Sequence, residues 1–514
     1  MKITRMEKRV MKFDSKSVFL PEITLNGYYL KDMELEGVLP EYAPDISRLV
    51  RVDAKASPPE VEFTTDKAEI TARVDFGILY ESDYKSKLAH VVVSGTLSQK
   101  VNHDRPSEER YAWASVNCSY LTCKLLGPRK FIIRAKMNTE LCVSEIKEFG
   151  AVDPDSGQVS AYFLTQKLGA LSPIGEYTGV SHAEQSVGLP QPVDHIVYAC
   201  GEVSSAVPIA AEGRLSVKCD VTFKALYATE EGEYSFVSNT YPVSVDIDNQ
   251  NITPGQSFCV SAHVTSAEAV ADIDDYGENK LLKQNFTVAA RAVCFESGED
   301  AVASDGFCGD RESACVVTKA EYNSLAGTLD KTFVFEMTHD TEKNDITELL
   351  DTAVAISVSE QSYADGVLNI KGNINFEALA KTESGIISED FSGEFEKSIV
   401  TDIPGEVIAG LSVRPLEVMA GVSGGEIIAV KVNVAVRASI FSKTSLPVLS
   451  EFIAEDMSSS SDGGIRFYYP DSSESAWSVA KKYRRNPKKL MDDNRSAFED
   501  NGSLKGGAVY LTIR

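Results

Sequence analysis

The stretch Leu215-Ser216-Val217-Lys218-Cys219-Asp220-Val221-Thr222-Phe223-Lys224-Ala225-Leu226-Tyr227 decides the fold. Leu215, Val217, Cys219, Val221, Phe223 and Ala225 alternate with Ser216, Lys218, Asp220, Thr222 and Lys224. A period of two is the mark of a β-strand with one buried and one wet face. The strand runs into Ala228-Thr229-Glu230-Glu231-Gly232-Glu233, a turn signal. The same stretch occurs upstream, where Ile70, Ala72, Val74, Phe76 and Ile78 lead into Leu79-Tyr80 and Glu81-Ser82-Asp83. A weaker copy lies downstream, where Leu368, Ile370, Ile374 and Phe376 lead into Ala378-Leu379-Ala380 and Lys381-Thr382-Glu383. Tyr80 and Tyr227 are 147 residues apart, and Tyr227 and Ala380 are 153 apart. Such spacing is duplication on the scale of a domain, not a solenoid, whose repeats run to about 20–50 residues.

The chain has 514 residues, enough for several cores, and 43% hydrophobic residues, which argues against disorder. Its formal charge of -25 argues against nucleic acid as a partner, because phosphates are repelled over most of such a surface. The nine cysteines are scattered, and Cys219 and Cys294 sit in strand patterns as small hydrophobes, so a reducing compartment is expected. Met1 to Val10 is charged and no apolar run follows it, so neither a signal peptide nor a membrane span is expected.

Read in order, residues 1–40 form an N-terminal extension in which Pro21 to Leu30 mixes strand and turn signals. A first β-rich unit spans 41–143, with strands expected at Leu49–Ser57, Ile70–Tyr80, His90–Thr96, Trp113–Leu126 and Phe131–Cys142. Pro58-Pro59 ends the first of these. Residues 144–187 carry Gly150, Pro154, Gly157 and Pro173 and read as a hairpin or linker. A second unit spans 188–296, and residues 297–345 read as connecting loops followed by a strand pair. A third unit spans 346–450 and closes with Ile428, Val430, Val432, Val434 and Val436 on one face. No long amphipathic helix interrupts the units, so the fold class is mostly β, in antiparallel sandwich-like or partly barrel-like repeats. Residues 451–464, with Ser458-Ser459-Ser460-Ser461-Asp462-Gly463-Gly464, read as a flexible linker.

Residues 465–514 form a separate small module. Ile465 to Tyr469 reads as a strand, and Ser473 as a helix cap after the turn at Pro470-Asp471. Ala476, Trp477, Ala480 and Tyr483 recur at helical spacing. Asn486-Pro487 opens a second helix, since Asn caps well and Pro loses nothing at the first helical position. Leu490 and Met491 give that helix its apolar contact, and Asn494 suits its end. Val509 to Ile513 is a last strand, so the order is βααβ. The module holds ten Lys or Arg against six Asp or Glu, a local +4 beside about -29 for the remainder. Lys481, Lys482, Arg484, Arg485, Lys488 and Lys489 cluster around the end of the first helix and the second helix. Favourable charge at a helix C-terminus explains part of this cluster, and a docking face for an acidic protein is the functional alternative.

The module resembles a LysM domain. Trp477-Ser478-Val479-Ala480-Lys481-Lys482-Tyr483 is similar to that family's first helix, Leu490-Met491-Asp492-Asp493-Asn494 to its second, and Gly507 to Ile513 to its last strand. Such domains bind N-acetylglucosamine-containing glycans beside a Gly-Asp-Thr turn, where this chain has Asp471-Ser472-Ser473-Glu474 instead. The repeated strand ending, the Leu39-Pro40 entry with Pro44-Asp45-Ile46 and the terminal module together resemble the clostridial-type spore-coat morphogenetic family of SPOCS repeats followed by LysM. The resemblance implies a structural adaptor in the mother-cell cytoplasm at the forespore surface. Its implied partners are the spore-coat morphogenetic ATPase at that surface and other coat proteins. The implied partner-binding face is Trp477, Lys481, Lys482, Tyr483, Lys488, Leu490 and Asn494. A core role is the competing reading for Trp477, given its place on the helix stripe.

No cofactor, metal or catalytic set is expected. Cys308 and Cys315, like Cys118 and Cys123, lack the spacing and the second ligand pair of a zinc site. The six histidines are isolated, and Gly421, Gly424 and Gly425 lack the Lys-Ser/Thr of a phosphate loop. Val264 to Asp275 lacks the oxygen spacing of an EF-hand. Two alternatives to the adaptor remain: a peptidoglycan- or N-acetylglucosamine-binding wall protein, and a wall hydrolase.

Overall fold

In the computed structural model the alternating stretch is strand from Arg214 to Thr229, with Leu215, Val217, Cys219, Val221, Phe223 and Ala225 all buried. The structure describes residues 10–84, 87–103, 109–155, 160–341, 345–383, 385–456 and 464–513. After β1 (Val10–Lys12), the first unit contains β2 (Ser15–Val38), β3 (Ile46–Ala56), β4 (Glu60–Phe63), β5 (Lys67–Ser82), β6 (Leu88–Asn102), β7 (Arg110–Gly127) and β8 (Lys130–Val152). The second contains β9 (Ala161–Gly188), β10 (Val193–Ala211), β11 (Arg214–Thr229), β12 (Tyr234–Asp248), β13 (Ser257–Asp272) and β14 (Leu281–Cys308). The third contains β15 (Arg311–Asp340), β16 (Ile346–Ala364), β17 (Val367–Thr382), β18 (Gly385–Val400), β19 (Val407–Ser423) and β20 (Ile427–Asp456). The chain ends in β21 (Gly464–Tyr468), α1 (Ala476–Tyr483), α2 (Pro487–Asp493) and β22 (Val509–Ile513).

Each unit repeats one plan of two small antiparallel sheets. One sheet is a meander, β10-β11-β12 or β16-β17-β18; in the first unit β3 and β4 share one side of β5, and β6 takes the other. The second sheet places the unit's last strand between its first and its penultimate: β2-β8-β7, β9-β14-β13 and β15-β20-β19. The inner faces of the two sheets meet in each unit's core, which in the first unit falls into two clusters. In the second unit, Val217, Val221 and Phe223 of β11 pack with Phe286, Val288 and Ala290 of β14. Tight turns close the meanders. Asp365-Gly366, both at positive φ (52° and 75°), join β16 to β17 in the two-residue form that matches strand twist.

The shared strand ending has a physical cause. Alternation in β11 stops at Ala225, beyond which Leu226, Tyr227, Ala228 and Thr229 are all buried. Tyr80 and Tyr227 turn into their own units' cores, as does Ala380. Leu79, Leu226 and Leu379 turn the other way and meet one another, joined by Val50, Leu88, Tyr198, Leu350 and Ile386. The three units therefore surround a pseudo-threefold axis. Each leucine that loses its exposure there contributes about 1.5–3 kcal/mol.

The partners of these leucines across the ladder are Arg51, Tyr198 and Asp351, one from each unit. They recur at the same 147- and 153-residue intervals as the strand endings. All three are buried, and they meet: Arg51 Nη1 donates to Asp351 Oδ2 at 2.8 Å, and Tyr198 Oη donates to the same oxygen at 3.2 Å. The Arg51 guanidinium lies 5.3 Å from the Tyr198 ring centroid, and Lys224 Nζ approaches Asp351 Oδ1 at 3.7 Å. Burial pushes the Asp351 carboxyl up, but Lys224 and Arg51 outweigh it and hold the group below the usual carboxylate range. Backbone bonds also tie units together: Leu88 N–H donates to Tyr234 Oη at 2.8 Å, and Arg48 Nη2 to the Ile386 carbonyl at 2.8 Å.

Farther along the axis, the ends of β2 and β8, β9 and β14, and β15 and β20 leave their units and pack together as a stem. Its layers follow the repeat. Val18, Leu168 and Ala320 are equivalent positions, as are Leu20, Ala170 and Tyr322, and Ala151, Val302 and Val448, and all nine share one cluster. Ile23 N–H donates to Asn323 Oδ1 at 3.0 Å, and Leu171 N–H to Ser324 Oγ at 2.8 Å, at the stem's base.

The stem accounts for the stretches that differ from the sequence expectation. Residues 15–38, expected as an extension, are one strand of the first unit. Residues 144–187, expected as a hairpin or linker, hold the end of β8 and nearly all of β9. Ser297 to Glu312, expected as loop, is strand apart from Gly309-Asp310, and Ser313 to Met337, expected as a strand pair, is one bulged strand. The linker expected at 451–464 begins as strand through Asp456, while Ser458 to Gly463 lie outside the described residues. Gly150, Pro173, Gly298 and Gly306 read as breaks although they sit on single-neighbour strand segments, while Pro154 is in a turn and Gly157 lies outside the described residues. Pro21, Pro173, Pro208, Pro242, Pro415 and Pro447 each lie where the strand pairs on one side alone, so no ladder bond is lost. Gly306 is required by packing: a Cβ there would come within 2.9 Å of the Phe163 ring and 3.1 Å of the Phe452 ring.

Two outcomes test the axis. Asp351→Asn leaves Arg51 buried without its counter-charge and should lower stability by about 3–5 kcal/mol in denaturant titration, whereas Arg51→Met with Asp351→Leu should cost less than either single change. Glu377 sits beside this node, and burial, opposed by Arg51, pushes its carboxyl up to about 8. A carboxyl raised on folding favours the folded state at low pH, and that advantage fades as pH rises from about 4.3 towards 8. Glu377→Gln should therefore flatten the fall in melting temperature across that window and leave the variant more stable than the parent above pH 8.

Candidate functional site

The C-terminal module has the expected βααβ order, with β21 paired antiparallel to β22. Its first helix is capped by Ser475 rather than Ser473. The Ser475 hydroxyl accepts from Ser478 N–H, and Ser478 Oγ accepts from Ser475 N–H. Asn486 caps α2 by accepting from Lys489 N–H at 3.1 Å, with Pro487 at the first helical position. Ala476, Val479, Ala480, Leu490, Ala497, Phe498, Val509 and Leu511 form the core.

The seven candidate face residues fall into different environments. Leu490 is buried in the core, and Asn494 is 2% exposed. Asn494 Nδ2 donates to the Leu490 and Tyr510 carbonyls at 2.9 and 3.0 Å, and its Oδ1 accepts from Tyr510 N–H at 2.6 Å. Asn494 thus ties the end of α2 to β22. Tyr483 is half-buried with its ring edge-on to Tyr468, 5.1 Å between centroids. Lys482 stands over the Tyr468 ring at 4.5 Å, donates to Tyr468 Oη at 2.7 Å and pairs with Glu474 at 3.4 Å. Lys488 is exposed, as is its neighbour Lys489.

Trp477 and Lys481 meet the stem. Trp477 Nε1 donates to Asp305 Oδ2 at 2.9 Å, and Lys481 Nζ donates to Asp305 Oδ1. Phe307, two residues along β14, lies edge-on to the Trp477 ring at 5.2 Å and is 2% exposed within the module's own core. Tyr162, opposite Phe307 in the ladder, backs its ring at 5.3 Å. Asp305 follows a β-bulge that shifts the register between Ala303 and Asp305. Burial raises its carboxyl, but the bonds from Lys481 and Trp477 outweigh this and hold it below the ordinary range. Sequence reasoning did not find Asp305 or Phe307, because both lie in a stretch that reads as acidic, glycine-rich loop.

Where the resemblance places a glycan-binding turn, Glu474 folds back. Its Oε2 accepts from Asp471 N–H at 2.9 Å and from Tyr468 Oη at 2.5 Å. A second feature is apolar. Ile465, Phe467, Tyr469 and Tyr510 are 72%, 56%, 74% and 51% exposed on one face of the two-stranded sheet, with the Phe467 and Tyr510 rings 4.8 Å apart. The alternation in Ile465-Arg466-Phe467-Tyr468-Tyr469 carried that signal, since one of its two faces had to look away from the helices.

Elsewhere, an open depression of about 520 Å³ on the outer face of β15-β20-β19 is crossed by a Lys431–Glu336 ion pair of 2.7 Å. Between the first and third units, buried Glu140 accepts from Leu411 N–H at 3.2 Å and Ser115 Oγ at 3.3 Å. Among the described residues, no group of three His, Cys, Asp or Glu side chains is placed to hold a metal ion. No described helix is long and apolar enough to cross a membrane. No protein-family model matches the chain, and no curated protein matches it.

Asn494→Ala removes three hydrogen bonds and strands buried carbonyls of α2 and β22, an expected cost of about 1–3 kcal/mol. Hydrogen exchange should speed up across Leu490–Asn494 and Tyr510–Leu511 and stay unchanged in β11. Trp477→Phe keeps a ring against Phe307 but loses the bond to Asp305, so exchange should rise at the module–stem contact while α1 stays protected.

Proposed function

We propose that the chain is a non-catalytic structural adaptor, in which the three-unit body is building material and the C-terminal module docks an acidic protein partner. One observation carries this reading. A module of net +4 is held at one end of a body of about -29, with exposed Lys488 and Lys489 on α2 and an exposed apolar ladder on its sheet. Exposed apolar side chains rimmed by charge mark interaction surfaces, and a local positive field on an acidic chain selects and orients an acidic partner. Several copies in one layer multiply weak contacts through effective concentration. The finer reading, SPOCS repeats with a LysM module in spore coat assembly, rests on the sequence resemblance. It names as partner the morphogenetic ATPase at the forespore surface and places the protein in the mother-cell cytoplasm.

Lys481 already meets Asp305, so the outward part of the docking face is tested at lysines that meet no other described element. Reversing the exposed Lys488 and Lys489 to Glu should reduce partner recovery at least tenfold when the full chain is purified from sporulating cells. Circular dichroism and melting should stay unchanged. Undiminished recovery removes the acidic-partner reading. Saturable binding of the full chain to washed peptidoglycan would favour the wall-glycan alternative instead.

A further inference from the structure

Asp305 and Phe307 share one face of β14, as residues two apart on a strand must, and both are presented to the module. The intervening Gly306 faces the opposite way, where the Phe163 and Phe452 rings leave no room for a Cβ. The module therefore reads an extended segment by two features in fixed spacing. A carboxylate is taken by the Trp477 indole N–H and the Lys481 ammonium, and an aromatic ring two residues later is taken by the Trp477 face and the α1 residues Ala476, Val479 and Ala480. Donors of two kinds converge on a single carboxylate, and such charge-assisted bonds are the stronger class.

We propose that this contact is a recognition site occupied in cis. The module binds an extended acid-x-aromatic segment, and Asp305-Gly306-Phe307 is its resident ligand. A partner strand of the same chemistry competes for Trp477 and Lys481 and frees the module from the stem when it binds. The inference rests on the docking role proposed above and gives the partner's contacting segment a chemical class. An intramolecular ligand acts at an effective concentration on the order of millimolar, so a weak external segment is excluded until it is presented in many copies or held nearby.

The test uses the full chain and a labelled synthetic peptide of residues Ala301 to Phe307, read by fluorescence anisotropy. Asp305→Lys sets a cation against Lys481 and should expel the resident segment, so this variant should bind the peptide at least tenfold more tightly than the parent chain. Adding Lys481→Met to Asp305→Lys should abolish that gain, as should replacing the peptide's Asp by Asn. Should Asp305→Lys fold poorly, Asp305→Asn offers a milder release with the same ranking expected at smaller amplitude. Equal peptide binding by the parent and both Asp305 variants overturns the proposal, as does binding indifferent to the peptide's carboxylate. The outcome is independent of recovery from sporulating cells, so failure of the docking role and failure of this site are separable.

Discussion

The body depends on one arrangement at its axis: three equivalent strand positions carry Arg51, Tyr198 and Asp351, and the three side chains meet away from water. A symmetric trimer would bring three copies of one residue to this point. Three arginines or three aspartates there would repel at short range in a medium that screens poorly. Joining the repeats in one chain removes that constraint. Each copy contributes a different member of a complementary set, a cation, a carboxylate and a hydroxyl-bearing ring. A buried pair of this kind adds little net stability over an apolar one, because both charges lose their hydration. Its effect is on alternatives: a slipped register in any one of the three strands takes a member away and leaves a charge buried without its partner.

The leucines beside the node carry the apolar share. Leu79, Leu226 and Leu379 are the residues at which strict alternation breaks, and they mark where a strand that was wet on one side becomes covered on both. The stem extends the same geometry, with small residues in one unit facing larger ones in another, as in the layer of Leu20, Ala170 and Tyr322. The result is a body in which each unit's core is closed by its own sheets, while the axis and stem are closed only by all three. The module then completes one end of the stem, since Phe307 of β14 belongs to the module's own core.

Much of this was legible in the sequence where burial is one-sided. β5, β11 and β17 were found because a strand with one wet face alternates, and α1 and α2 because their caps and stripes are local signals. The stem was not legible. Its strands are covered on faces supplied by residues about 150 positions away, so composition rather than period dominated the reading, and Gly298, Gly306, Pro21 and Pro173 read as breaks. The intervals of 147 and 153 residues held the missing information, since applying them to Leu49–Asp53 aligns Arg51 with Tyr198 and Asp351. The candidate site divided similarly. Leu490 and Asn494 match a fold signature because they build the module's core and its α2–β22 tie, not because they face a partner. Asp305 was invisible because its significance lies wholly in what docks on it.

The module's surfaces are thereby sorted by what they already touch. Trp477 and Lys481 face the stem, Lys482 and Tyr483 support the turn through Tyr468 and Glu474, and Lys488, Lys489 and the Ile465–Tyr510 ladder face outward. A partner engaging the outward surfaces leaves the stem contact intact and meets a module whose orientation is set by the body. A partner engaging Trp477 must displace a carboxylate and a buried ring together, which costs more but detaches the module. These two modes differ in what they do to the body: the first adds a neighbour to a fixed scaffold, and the second exposes Phe307 and Tyr162 at the end of the stem.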